Sequence, residues 1–314
     1  MSHSTQEANS EKPGRLKDYL QLTKPSLSIM VVFSSVICYL LAPNVRFDWL
    51  NILILGFGGF FVTGSANAIN QAVEKDTDAQ MMRTASRPVA SGRMSATEAW
   101  IFAIVMGAAG LFLLLYFFNW ESALLALISL FLYAFVYTPW KKRDAMAVLV
   151  GAVPGALPCL IGWVAGTGII DPFGSFLVSA GGHEREVRNI GGWVLFGIQF
   201  LWQFPHFWAI AWIAHGDYAR AGFRLLPGET GPTRFTALQT IIYSVLLVPM
   251  CLLPYLIGIT GAPSLAVVTL ANIFLILQCV RLYRQMDAKA ARRVMFSSYI
   301  YLPVVFLALL ADKV

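Results

Sequence analysis

Residues 50 to 87 read LNILILGFGGFFVTGSANAINQAVEKDTDAQMMRTASR. Residues 50 to 73 contain no Asp, Glu, Lys or Arg, and Glu74, Lys75, Asp76, Asp78, Arg83 and Arg87 then crowd together. A hydrocarbon core of roughly 30 Å takes about 20 apolar helical residues to cross, so the stretch reads as one membrane span running out into a charged rim. Asn70, Glu74 and Asp78 recur every fourth residue, with Asp76 between them, and at about 3.6 residues per turn the three share one helix face. Stacked oxygen-bearing side chains suit a hard cation such as Mg²⁺, which takes a few carboxylate oxygens together with water and phosphate oxygens. An acid triplet alone equally describes a solvated helix end. Followed in one loop by Arg83 and Arg87, with Lys75 before them, it outlines a site for a metal-bridged diphosphate.

The rest of the chain fits a membrane protein. Of 314 residues, 57% are hydrophobic and only 13% charged, outside the range of a soluble domain of this size. Charge-free apolar runs lie near residues 26 to 42, 50 to 73, 97 to 117, 122 to 138, 145 to 166, 191 to 214, 235 to 257, 264 to 280 and 294 to 311. They predict an all-α bundle of nine transmembrane helices, as one domain over 26 to 314 after a tail over 1 to 25. Gly151, Pro154, Gly155 and Pro158 are expected to kink or break the fifth span. The longest connection, 167 to 190, carries Gly181, Gly182 and the mixed-charge run His183 to Arg188.

With the N-terminus inside, 19 of the 23 Lys and Arg residues fall on the cytoplasmic side and only Arg46, Arg185, Arg188 and Lys313 on the other, as positive-inside topology requires. The net charge of +6 is thereby a topology signal. A nucleic-acid partner is set aside, since no basic patch with interleaved aromatics stands outside the spans. Cys38, Cys159, Cys251 and Cys279 lie in or beside spans with no metal-ligand spacing and read as packing residues. The polar start, with Glu7 and Glu11, does not resemble a presequence, and the chain is expected to be unprocessed.

Away from their ends the spans carry no acidic or basic side chain except His206, so polar chemistry gathers at the rim, where mid-bilayer burial of charge is avoided. On the cytoplasmic side the next loops carry Tyr137-Thr-Pro-Trp-Lys141-Lys142-Arg143, and then Asp217-Tyr218 with Arg220 and Arg224. By the charge count all three clusters share one side, where a bundle can bring them around one cavity mouth. The sixth span holds Trp202-Gln203-Phe204-Pro205-His206-Phe207-Trp208. On a continuous helix His206 lies roughly 16 Å from Asp217, and at that depth it needs a partner, an aqueous cavity or a ligand.

Taken together, Asn70-x3-Glu74-x-Asp76-x-Asp78 with Arg83-Thr84 and Arg87-Pro88 resembles the first aspartate-rich motif of the UbiA-type prenyltransferases. It has the Asn and Glu variant of their protoheme IX farnesyltransferase (heme O synthase) branch. Tyr137-Thr138, Lys142-Arg143, Gly151 to Gly162-Trp163, Trp202-Gln203-x-Pro205-His206-Phe207 and Asp217-Tyr218-x2-Ala221-Gly222 to Leu226-Pro227 follow in the family's order. The resemblance implies a nine-helix bundle in the bacterial inner membrane, N-terminus cytoplasmic, with a cavity opening to the cytoplasmic side. It implies Mg²⁺, and transfer of the farnesyl group of farnesyl diphosphate to a vinyl group of heme b with water added, giving heme O. It also implies contact with heme A synthase or oxidase assembly proteins. By it, Asn70, Glu74, Asp78 and Asp217 hold the metal-diphosphate, and Lys75, Arg83, Arg87, Tyr137, Lys142 and Arg143 bind diphosphate. His206, with Trp202 and Gln203, meets heme. The departures are Ala221, where other branches carry a second acid, Cys159, where the family has Pro, and a long far-side connection.

The mechanism these residues suggest is electrostatic: metal and cations draw charge onto the departing diphosphate inside a low-dielectric cavity, while aromatics shelter an allylic cation. Prenyl transfer to a quinone precursor or a tetrapyrrole alcohol is the nearest alternative, and His206 in its aromatic setting favours heme. A transporter calls for binding groups at mid-membrane, whereas here the interiors are empty and the rim crowded. An assembly factor leaves Asn70 to Arg87 unexplained.

Overall fold

The computed structural model describes residues 14–314, apart from Asn44, Gly181, Gly182, Glu229 and Thr230, and only the backbone of the others between 178 and 185. Its helices are α1 (Arg15–Thr23), α2 (Pro25–Leu41), α3 (Trp49–Val73), α4 (Lys75–Ala79), α5 (Ala96–Phe117), α6 (Trp120–Phe131), α7 (Thr138–Trp140), α8 (Ala147–Thr167), α9 (Gly191–Ile213), α10 (His215–Arg220), α11 (Arg234–Leu256), α12 (Ala262–Gln285) and α13 (Ala288–Ala311). A π-helical segment, Leu132–Tyr137, joins α6 to α7. Among the described residues eight helical stretches are long and apolar enough to cross a membrane, α6 to α7 being one of them. The pair α1 and α2, bent by 44°, makes a ninth when taken as one. Phe57, Ile104, Phe112 and Leu270 are exposed on the outer faces, where a bilayer is as apolar as they are.

Three expectations are corrected. Of the tail over 1 to 25, residues 1–13 lie outside the described residues, but Arg15–Thr23 is a helix with Asp18, Leu22 and Thr23 buried. It is fastened to the bundle: Arg93 pairs with Asp18 at 2.9 Å, Gln71 donates to the Gln21 and Leu22 carbonyls, and Asn67 donates to that of Thr23. Short polar anchors, absent from an apolarity count, make this segment structural. The connection 167 to 190 is also not wholly loop: within the helical bundle Ser175–Ala180 and His183–Arg188 form one antiparallel hairpin with Ser175 opposite Arg188. Its Gly181 and Gly182 lie outside the described residues. Asn189 moors its base, donating to the Ile169 and Asp171 carbonyls and accepting from the Trp163 indole.

The third correction concerns the break expected in the fifth span: α8 runs unbroken through Pro154 and Pro158. Pro158 has no N–H, so the Pro154 carbonyl loses its intrahelical donor; the Ser129 hydroxyl donates to it instead, at 3.2 Å. Neighbouring helices restore freed groups in this way where water is absent. The glycines serve close approach. A Cβ at Gly162 would collide with the Ser35 carbonyl of α2, and one at Gly155 with the Gln203 amide of α9. α8 thus forms the buried centre, packed on α2, α6 and α9, while α9 also packs on α11 and α13.

Candidate active site

α3 delivers Asn70 to the rim and ends at Val73, and α4 begins at Lys75. The helical bonds nevertheless continue across the joint, Glu74 N–H to Asn70 O at 2.9 Å and Asp78 N–H to Glu74 O at 2.7 Å, so the four-residue stack survives the break. All three side chains are buried, Asp78 completely, and each has a cation. Lys24 donates to Asn70 Oδ1 at 3.1 Å, Lys141 to Glu74 Oε1 at 2.9 Å, and Arg87 to both Asp78 oxygens at 2.7 and 2.6 Å. Asn70 in turn donates to Thr138 Oγ1 at 3.3 Å, and Lys24 lies within electrostatic reach of Arg87, Lys141, Glu74 and Asp78. Two carboxylates face three basic side chains; burial, then the charges of Arg87 and Lys141, push the Lys24 ammonium well below the usual lysine range, and a polyanion at the ring would favour its protonated form.

Lys24 and Lys141 are the residues that sequence reasoning missed. Lys24 stands at the α1–α2 bend with φ 47 and ψ 67, a left-handed conformation that costs a lysine about 1 to 3 kcal/mol. The one available signal was its place before Pro25, which starts a new helix. Lys141 enters because of the π-helical segment before it: bonds reaching i+5 shift the facing register by about one residue relative to an α-helix. The Lys141 ammonium lies 4.8 Å from the Tyr137 ring centroid and 5.8 Å from that of Phe223. Lys142 and Arg143 are exposed outside the ring, the Arg143 guanidinium resting on Trp140 at 5.4 Å. Lys75 is likewise exposed.

The second motif forms a flap over this ring. Ala221 and Phe223 pack on Met81 of the first loop, the Arg224 N–H donates to the Lys141 carbonyl at 3.0 Å, and Arg83 donates to the Tyr218 hydroxyl at 3.1 Å. The three rim clusters therefore do converge. Asp217 lies on α10, a separate short helix, and pairs with Arg220. α9 ends at Ile213, but helical bonds cross this joint too, Ala214 N–H to Ile210 O at 2.9 Å and Tyr218 N–H to Ala214 O at 3.0 Å; His206 lies seven residues before the end of α9, about 10 Å along the axis.

His206 is buried, stacks on Trp202 with ring centroids 4.8 Å apart, and places Nδ1 2.8 Å from Ser298 Oγ of α13. The Ser298 oxygen is also 2.6 Å from the Met295 carbonyl; with its hydrogen directed there, Nδ1 donates to Ser298 and Nε2 keeps the lone pair by which histidine ligates metals. Trp202 donates to the Ser298 carbonyl at 2.9 Å. Gln203 faces the other way, donating to the Ala152 carbonyl of α8 at 3.0 Å. The three residues expected at heme are thus divided between two faces of α9.

Among the described residues no three His, Cys, Asp or Glu side chains converge on one point. The oxygen set at the ring is instead an amide and two carboxylates at one helix face, hard donors of the kind Mg²⁺ accepts when phosphate oxygens complete its shell. Buried acids stacked against Lys24, Lys141 and Arg87, at the end of an apolar bundle, are the makings of a diphosphate site. The UbiA prenyltransferase family model matches residues 31–307. The chain belongs to the UbiA prenyltransferase family. It is 40% identical over 299 residues to a protoheme IX farnesyltransferase of Cytophaga hutchinsonii, covering 94% of this chain and 97% of that one. A protoheme IX farnesyltransferase of Flavobacterium johnsoniae is 43% identical over 304 residues, covering 94% of each. The UbiA fold is shared with a digeranylgeranylglyceryl phosphate synthase structure (TM-score 0.74, 23% identity, 95% of this chain and 98% of that chain). It is shared too with a UbiA homolog from Archaeoglobus fulgidus solved with GPP and Mg²⁺ (TM-score 0.60, 16% identity, 93% and 99%). This UbiA member is a multi-pass membrane prenyltransferase.

Proposed function

We propose that the chain transfers the farnesyl group of farnesyl diphosphate to a vinyl group of heme b, with addition of water, giving heme O and diphosphate for heme-copper oxidases. Relatives named protoheme IX farnesyltransferase that match almost end to end support the acceptor. The structural observation that carries the reading is the buried ring of Asn70, Glu74 and Asp78 against Lys24, Lys141 and Arg87. On this reading Asn70, Glu74 and Asp78 hold Mg²⁺, with Asp217 as the acid of the facing flap. When bound, the metal supplies Lewis-acid stabilisation of the diphosphate oxygens.

The protein's own groups then account for the rest. Lys24, Lys141, Arg87 and Arg83 receive the charge that develops on diphosphate as the allylic C–O bond breaks and its electron pair leaves with oxygen. Tyr137 and Phe223, ring faces close to Lys141, present aromatic surface to the allylic cation. The vinyl π electrons form the new C–C bond; the cation left beside the porphyrin takes an oxygen from water, which gives up a proton. The Lys and Arg distribution supports a cytoplasmic N-terminus in a bacterial inner membrane. Delivery of product to heme A synthase or oxidase assembly proteins belongs to the same reading. Diphosphate release tests it: with farnesyl diphosphate and Mg²⁺, release should require reduced heme b. Release driven by a quinone precursor and not by heme would overturn the acceptor.

A further inference from the structure

α8 and α11 each pack on α9, and where both begin they leave a crevice of about 930 Å³ between them, closed on one side by residues 218 to 228. Asn70, Glu74, Asp78 and His206 do not line it, so it lies beside the diphosphate ring and not within it. Its inner wall is apolar: Leu149, Leu225 and Tyr243, each half-buried, cover the closed cluster of Val148, Phe204 and Leu226. Met146 and Phe235, at the starts of α8 and α11, also line it and are 52% and 54% exposed, so the crevice opens sideways between the two helices, toward lipid. At its outer end stand Lys142, His215 and Arg224. Among the described residues neither Lys142 nor Arg224 is paired with a carboxylate. Asp144 is the single acid in the lining, and its Oδ1 accepts from the Trp140 indole at 3.2 Å and the Met146 N–H at 2.8 Å.

We propose that this crevice binds one anionic phospholipid of the leaflet at this end of the bundle, its phosphate held by Lys142 and Arg224 and its acyl chains lying along Leu149, Leu225 and Tyr243 and leaving past Met146 and Phe235. The inference is independent of the heme b reading. Two unpaired cations match a phosphodiester, and a surplus of basic groups at a membrane surface selects anionic over zwitterionic headgroups. An apolar wall continuous with the bilayer suits acyl chains, which a soluble phosphate lacks, and the volume falls in the range of ligand pockets. Tyr218 and Phe223 line the crevice and also reach Arg83 and Lys141 of the diphosphate ring, and the Arg224 N–H holds the Lys141 carbonyl. A lipid seated here therefore braces the flap from its outer side.

The test is native mass spectrometry of the full chain released from detergent micelles, titrated with phosphatidylglycerol or with phosphatidylcholine of the same acyl chains. Wild type should take up one phosphatidylglycerol about ten-fold or more tightly than phosphatidylcholine, and its unfolding temperature should rise with that lipid. Arg224→Glu, which reverses charge at an exposed side chain, and Leu149→Trp, which fills the apolar wall, should each weaken phosphatidylglycerol binding by about ten-fold or more. Arg292→Glu, the same charge change at an exposed arginine of α13 outside the crevice, should stay within about two-fold of wild type. Equal uptake of the two lipids by wild type, or an undiminished preference in Arg224→Glu, overturns the proposal. An equal loss in Arg292→Glu overturns it as well and assigns the preference to general surface charge. Glycerol phosphate bound as tightly as the whole lipid leaves an anion site only, which also overturns it. If Leu149→Trp misfolds, as thermal unfolding shows, Arg224→Glu against Arg292→Glu decides.

Discussion

Lys141→Met separates the site drawn by the structure from the one drawn by motif order. Lys141 and Glu74 meet at 2.9 Å with side chains only 11% and 7% exposed, so solvent screens the pair little. Removing one partner of such a pair leaves a buried uncompensated charge and costs about 3 to 5 kcal/mol of stability. Separately, loss of a charge-assisted hydrogen bond to diphosphate costs about 1.5 to 3 kcal/mol in the transition state, or roughly 10- to 150-fold in kcat/KM at about 1.36 kcal/mol per decade. Adding Glu74→Gln removes the stranded charge, so the double variant should recover thermal stability without recovering activity. Arg143→Met, at an exposed side chain resting on Trp140, should stay within about 0.5 kcal/mol of wild type. Steady-state turnover and thermal unfolding in detergent read both effects. Equal damage from Arg143→Met, or wild-type stability and activity in Lys141→Met, would refute the reasoning.

Arg87 bonds both Asp78 oxygens through Nη1 alone; Arg87→Lys keeps that charge but removes the rest of the planar fork that suits phosphate, so farnesyl diphosphate affinity should fall about ten-fold or more, measured by equilibrium binding. Gly162→Val drives a side chain into the Ser35 carbonyl where α2 meets α8, and should lower stability by about 1 to 3 kcal/mol or more, measured by thermal unfolding. Ser298→Ala removes the hydrogen-bond partner of the buried His206 Nδ1 and should cost about 1 to 3 kcal/mol, with diphosphate binding unchanged.

The apolar runs were legible because hydrocarbon thickness imposes length and excludes charge: the expected 50 to 73, 97 to 117 and 191 to 214 appear as Trp49–Val73, Ala96–Phe117 and Gly191–Ile213. The Asn70, Glu74, Asp78 stack was legible for a similar reason, since helical periodicity alone sets its face. Lys141 was not, because a π-helical segment changes the register that periodicity assumes. Lys24 was not, because its role depends on a bend and on Asn70, distant in sequence. The hairpin escaped because a mixed-charge run carries no apolar alternation, and the continuity of α8 depends on a Ser129 hydroxyl from another helix. The partners of α9 divide Gln203 from His206, and only tertiary packing decides that.

The most direct measurement is mass spectrometry of hemes extracted after incubating the purified chain with farnesyl diphosphate, Mg²⁺ and reduced heme b, beside Glu74→Gln. The account predicts a heme heavier by one farnesyl group and one hydroxyl, formed only with Mg²⁺ and lost in the variant. Unmodified heme from folded wild-type protein, or full product from Glu74→Gln, would contradict it.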